Sequence, residues 1–211
     1  MLPVYLMSVS GLQPTMKDDE LDECIARIAL GNRDALSQLY YEVKSAVFGF
    51  ALSILKNAQD AEDVLHDCFI SIHNSASSYH SAGKPMAWIM TITRNLCYMK
   101  LRADARHRER HVDIPDEDWD SHTELSTTLS NEDRMIIAEC LGGLGEEERQ
   151  IVVLHAVSGM KHREIAAMLE LPLPTVLSKY HRALKKMKEY FERGDEQNEA
   201  SGYRKKNQAS F

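Results

Sequence analysis

Residues 161–188 read KHREIAAMLELPLPTVLSKYHRALKKMK. Two short stretches with helical periodicity flank a break at Leu171-Pro172, the pattern of a helix, a tight turn and a second helix. In the first stretch Ile165 and Leu169 share one face. In the second, opened by Pro174-Thr175, the residues Val176, Tyr180, Ala183, Leu184 and Met187 fall on one face. Ser178, His181, Arg182 and Lys185 fall on the opposite one, as a 3.6-residue period requires. The first face packs and the second is free to enter a DNA major groove. There Arg182 carries the fork that bonds guanine, Ser178 suits a base or a phosphate, and Lys179, Lys185 and Lys186 suit the backbone. The same segment also fits a solvated basic helix closing a bundle.

The flanking elements are helical too. Glu146, Glu147 and Glu148 open a helix that runs through Ile151, Val152 and Leu154 to a stop at Gly159, while Met135, Ile136, Leu141 and Leu144 begin the same core. Gly142-Gly143-Leu144-Gly145 is superficially like a phosphate loop, but no Lys-Ser/Thr follows and no strand precedes it, so it reads as a helix break. The polar residues 194–211 are expected to form a disordered tail.

In the N-terminal half, Leu21, Ile25 and Ile28 mark a short amphipathic helix ending at Gly31-Asn32. Leu36, Leu39, Tyr40, Val43, Val47, Phe50 and Ile54 form the apolar stripe of a longer one, broken at Asn57. Asp60 is placed to cap the next helix, with Glu62 and Asp63 in its first turn, Val64, Leu65, Cys68, Phe69 and Ile72 inward, and Asp63, His66, Asp67 and His73 on the other face. A polar loop, 75–84, precedes Pro85, which opens a helix carrying Trp88, Ile92, Leu96 and Met99 on one stripe. No run alternates as a strand would. The fold class is therefore all-α: two small helical domains, an N-terminal helical bundle and a C-terminal helix-turn-helix, joined by an acidic flexible linker.

The charge distribution supports that division. The chain carries 25 Lys and Arg against 32 Asp and Glu, net -7, which by itself disfavours DNA. Yet residues 94–110 hold six basic residues against two acidic ones, and so do residues 175–193. Between them, residues 113–120 hold five acids and a proline, with Trp119 the lone aromatic. Two basic segments, one per domain, suit a protein that touches DNA at two places.

Other function classes lack support. No apolar run is long enough to cross a bilayer, and Met1–Met7 lacks the basic lead and apolar core of a signal peptide, so a cytoplasmic protein without membrane insertion is expected. Cys24, Cys68, Cys97 and Cys140 are scattered and expected to be reduced thiols on helical apolar faces. His107 and His111 are spaced like two metal ligands but sit among arginines with no third ligand, so no metal and no cofactor is expected. Nothing forms a nucleophile elbow, an HExxH helix or a catalytic carboxylate pair, and no enzyme is expected.

Three blocks in order then resemble a known family. Gly31-Asn32-Arg33-Asp34-Ala35-Leu36 with Leu39-Tyr40, Asp60-Ala61-Glu62-Asp63-Val64-Leu65-His66-Asp67-Cys68-Phe69, and Trp88-Ile89 with Ile92, Arg94-Asn95 and Arg102 are similar to the first domain of bacterial extracytoplasmic-function sigma factors of the sigma-70 family. Residues 141–191 resemble the second domain. The resemblance implies a sigma factor that binds core RNA polymerase and directs promoter-specific initiation through minus-ten and minus-thirty-five elements. It implies that Asp63, His66 and Asp67 grip the clamp helices of the polymerase's largest subunit, with the flap as a further contact. Tyr79 in the loop, with Trp88, Arg94, Asn95 and Arg102, would serve the minus-ten element. Leu177, Ser178, Lys179, His181, Arg182 and Lys185 would serve the minus-thirty-five element.

The chain departs from the family pattern at Leu177, where a basic residue is usual, at Met99 and at Pro174. An anti-sigma factor is an implied partner. The expected divisions are an N-terminal extension (1–16), a region-2-like domain (17–111), the linker (112–131), a region-4-like domain (132–193) and the tail (194–211). Two other readings remain compatible with the residues: a free-standing helix-turn-helix regulator and a helical adaptor that binds only protein. The second basic site, Arg94 to Arg110, favours the sigma reading, since a simple regulator does not need it.

Overall fold

The structure, a computed structural model, describes residues 13–81, 83–110, 141 and 143–208, the side chains of 107–110 and 191–208 excepted. The expected linker and the sequence readings at Met1–Met7, Trp119, Met135, Ile136 and Cys140 lie outside the described residues, as do those resting on the side chains of His107 and His111. Every regular element among the described residues is a helix: α1 Asp18–Ala29, α2 Arg33–Leu55, α3 Ala58–Ser75, a 3-10 turn Ala76–Ser78, α4 Pro85–Arg110, α5 Glu146–Ala156, α6 His162–Leu169 and α7 Leu173–Gln208.

Local chemistry sets the helix ends. Three N-termini are closed by a glutamate at the third position that accepts from the N-cap N–H: Glu20 from Lys17 (2.7 Å), Glu148 from Gly145 (3.1 Å) and Glu164 from Lys161 (3.0 Å). Asn32 caps α2 by accepting from the Ala35 N–H at 3.0 Å. The cap of α3 is Asn57, which accepts from the Asp60 N–H at 3.0 Å, so Asp60 is a first-turn residue and not the cap that its sequence position suggested. Asparagine reaches its own third following N–H equally well, and the left-handed Lys56 before it (φ 58°) has already ended α2. Glu170, also left-handed (φ 57°), ends α6, and the Leu171 N–H closes the turn on the Ala166 oxygen at 3.0 Å.

α1 to α4 enclose a core of Leu21, Ile25, Leu39, Phe50, Ile72 and Ile89, all at most 1 % exposed. The second unit, α5 to α7, buries Ile151, Leu154, Ile165, Val176 and Ala183. Helix α7 continues through 194–208, where the polar sequence pointed to a disordered tail. Once α7 has been nucleated on its packed first half, each added residue costs only propagation, and Glu196, Gln197, Glu199, Ala200, Arg204, Lys205 and Lys206 offset the weak helix formers Gly194 and Gly202.

The two units do not stand apart. Helix α2 lies along α5, and a Cβ at Gly49 would stand 3.7 Å from the Val153 side chain. Arg149, 4 % exposed, donates across this seam to the Ser53 oxygen (3.4 Å) and within its own unit to the Leu144 oxygen (3.0 Å). The Gln13 amide donates to the Ala156 oxygen (2.9 Å) and the His155 oxygen (3.4 Å), two of the carbonyls that the end of α5 leaves free. Thr15 and Met16 are tied to Glu42. Part of the expected N-terminal extension thus belongs to the fold.

Candidate nucleic-acid interface

Helix α7 is two-sided. Val176, Tyr180 and Ala183 are buried, whereas Leu177, Ser178, His181, Arg182 and Lys185 are exposed on the other side. Ser178 spends its hydroxyl on the Pro174 oxygen (2.8 Å), one turn back. Lys179 is drawn off this face to Glu147 at 2.7 Å. The acidic start of α5 also meets Lys186 (2.7 Å) and Arg182 (3.6 Å) through Glu148. Burial opposes ionisation of Glu148, but the Lys186 ammonium and the Gly145 N–H outweigh it and hold the carboxyl below its usual range.

On α4, Trp88, Asn95 and Arg102 are seven residues apart and share a stripe, with Asn95 and Arg102 exposed. Arg94 is turned a quarter-circle aside, over the Tyr98 ring (5.2 Å to its centroid), and the two line a cleft with Glu146, Gln150 and Lys179 of the second unit. Tyr79 packs its ring at a 45° tilt against Trp88 (centroids 4.6 Å apart) and donates its hydroxyl to Asp22. Burial first, and the Asp22 carboxylate second, push its phenol pKa up.

On α3, Asp63, His66 and Asp67 are exposed on one face, beside Ile70 (59 % exposed) and His73. Asp63 is paired with Lys100 at 2.9 Å, whose hydrogen bond lowers its pKa. Ile70 and Tyr41, 72 % exposed on α2, edge an apolar groove with Leu36, Tyr40 and Phe69. Neither was singled out from the sequence, although both are large apolar residues standing off the core stripes, which is the available signal. Among the described residues no cluster of His, Cys, Asp and Glu is arranged to hold a metal ion, and no helix is long and apolar enough to cross a membrane.

Two family descriptions match this chain: "Sigma-70 region 2" over residues 39–107 and "Sigma-70, region 4" over 134–187, together more than half its length. The chain is an extracytoplasmic-function sigma factor of the sigma-70 family. This sigma factor is similar to the "ECF RNA polymerase sigma factor SigK" of Mycobacterium ulcerans, 26 % identical over 82 % of this chain and 94 % of the relative. It is 24 % identical to the SigK of Mycobacterium tuberculosis strain H37Rv, over 83 % and 95 %. Its fold is similar to that of CnrH in complex with the cytosolic domain of CnrY (24 % identity, TM-score 0.56, covering 82 % of this chain and 97 % of that one). It is likewise similar to the sigma factor RpoE in complex with the anti-sigma factor NepR from Bartonella quintana (23 % identity, TM-score 0.61, covering 74 % and 96 %). As a sigma factor it recognises promoters for transcription initiation.

Proposed function

We propose that the sigma factor divides its work among three surfaces. The face of α3 with Asp63, His66 and Asp67, extended by Ile70 and Tyr41, docks core RNA polymerase on the clamp helices of its largest subunit. The loop leading into α4 and the stripe Trp88, Asn95 and Arg102 serve the minus-ten element. The exposed face of α7, Leu177, Ser178, His181, Arg182 and Lys185, reads the minus-thirty-five element, while the second unit also meets the polymerase flap. The polymerase supplies the catalysis and this chain none, and its place of work is the polymerase's, the cytoplasm. An anti-sigma factor that grips both units is a further partner, in line with the complexes formed by the proteins of similar fold.

The observation that carries this reading is the two-sidedness of α7: a buried Val176, Tyr180 and Ala183 face fixes the helix on its domain and leaves a five-residue polar and apolar face outward. The two promoter elements are 25 base pairs apart by name, roughly 85 Å along the duplex at about 3.4 Å per step. Two units sharing one packed seam do not span that distance, so promoter engagement entails parting α2 from α5. Reconstituted transcription tests the reading: with core polymerase the chain gives initiation that depends on both elements. Tight footprinting of DNA by the chain alone, without promoter-dependent initiation, overturns it.

A further inference from the structure

Asp22 lies on α1, 57 residues before Tyr79 in the chain, yet both oxygens of its carboxylate are taken by the segment that leads into α4. One accepts from the Tyr79 hydroxyl and the other from the Ser81 hydroxyl at 2.5 Å. Tyr79 is extended (φ -69°, ψ 127°), and its ring is pinned against Trp88. In extended backbone successive side chains point to opposite sides. Anchoring 79 and 81 on one carboxylate therefore turns the residue between them, His80, outward, and His80 is exposed. Ser77 and Ser78 are exposed as well, but Ser78 returns its hydroxyl to the Ser75 oxygen at 2.8 Å, which leaves His80 as the aromatic ring offered to solvent on this stretch.

We infer that His80, and not Tyr79, is the residue of this loop that meets an unstacked minus-ten base, and that Asp22 is the positioning residue that presents it by holding Tyr79 and Ser81. An imidazole stacks on a splayed base and bonds its edge, whereas the Tyr79 ring and hydroxyl are both already committed. Asp22 touches no DNA in this arrangement. The inference rests on the minus-ten reading of the loop, and its test separates the two.

Initiation with core polymerase is measured on a template panel in which each minus-ten position carries each of the four bases. His80→Ala is expected to reduce the best-to-worst base ratio at one position by at least about fivefold, the scale of one lost base stack. Asp22→Ala reproduces the loss at that same position with His80 intact, and the double variant loses no more than His80→Ala alone. Asp22→Asn, which keeps an acceptor for Tyr79, restores part of the preference. In a Trp119→Phe background, where Trp88 is the remaining tryptophan, Asp22→Ala shifts the emission as Tyr79 leaves its ring. A thermal melt and a core-binding measurement show that the variants fold. An unchanged preference in His80→Ala, or a loss spread evenly over every promoter position, overturns the inference. If His80→Ala alters the preference while Asp22→Ala does not, the role of Asp22 falls alone; if only Ser77→Ala, Ser78→Ala and His80→Ala combined alter it, the loop keeps its minus-ten role and the inference falls. If the combined variant changes nothing, the minus-ten reading of the loop falls and the inference with it.

Discussion

Arg149 of the second helical unit donates to the backbone oxygen of Ser53 in the first, 3.4 Å away, while only 4 % exposed. That oxygen belongs to the last turn of α2, where the helix dipole favours a cation. The bond joins the two units through a buried charge. Removing it leaves the Ser53 and Leu144 carbonyls without this donor, at a cost of about 1–3 kcal/mol for a buried group left unsatisfied. Arg149→Ala is expected to lower unfolding stability by about 2 kcal/mol in denaturant titration and to increase the radius of gyration in small-angle scattering. A variant as compact as the parent would show that the seam holds without this residue.

Glu148 is expected to restrain the DNA-facing helix. It holds Lys186 and Arg182 from a side chain only 7 % exposed. Glu148→Gln keeps the shape and the cap at Gly145 but releases two cations. Affinity for non-specific duplex should rise several-fold and the slope of log K against log salt should steepen by about one, read by fluorescence anisotropy. Stability should fall by about 1–2 kcal/mol. Because the folded carboxyl titrates below its ordinary 4.5, its contribution is present above about that pH and is lost as the pH falls through the folded value.

His162 gives the second unit a sensitivity of the same sign, set at a higher pH. Its ring lies 4.1 Å from that of His155 and edge-on to Tyr180 at 4.7 Å, and burial first, then His155 and His181, lowers its pKa from the ordinary 6.5. Between the folded value and 6.5 the unfolded chain binds more protons, so this stability is full above about pH 6.5 and drains away below it. Melting temperatures from pH 8 to pH 5 should drop less steeply in His162→Phe than in the parent. Parallel curves would assign the acid loss elsewhere.

Arg182 has its side chain 58 % exposed on the outward face of α7. Arg182→Ala should cost about 1–3 kcal/mol of discrimination at one minus-thirty-five base pair in a promoter panel. An equal loss on every sequence would make Arg182 a phosphate contact.

Ile70 and Tyr41 are expected to be polymerase contacts. Ile70→Glu places a charge in the apolar groove and should weaken core binding at least tenfold, by surface binding with purified core. Its melting temperature and its second unit's DNA binding should stay at the parent's values, because Ile70 is 59 % exposed and packs no core.

Local periodicity made much of this legible. The spacing of Val176, Tyr180 and Ala183 against Ser178, His181 and Arg182 sorts α7 into a packed and an open side before any neighbour is known, because a helix repeats every 3.6 residues whatever surrounds it. The same rule made the stripes of α2 and α3 and the all-helical class readable. It did not choose between Asn57 and Asp60 as a cap, since both residue types cap and the choice depends on where the left-handed Lys56 ends α2. Nor did it show α7 continuing to Gln208, because polar composition alone does not separate a solvated helix from a coil.

By itself, then, the sequence determined the helices, their inward faces and the residue types available for DNA and polymerase. Tertiary structure alone decided which of those groups are free. Lys179 is drawn aside by Glu147, Arg94 faces a cleft between the units, and Tyr79 is held by an aspartate 57 residues away. Each of these depends on distances of a few ångströms between segments remote in the chain. Periodicity carries no information about such distances, because it fixes directions around one helix axis and not the positions of two helices relative to each other.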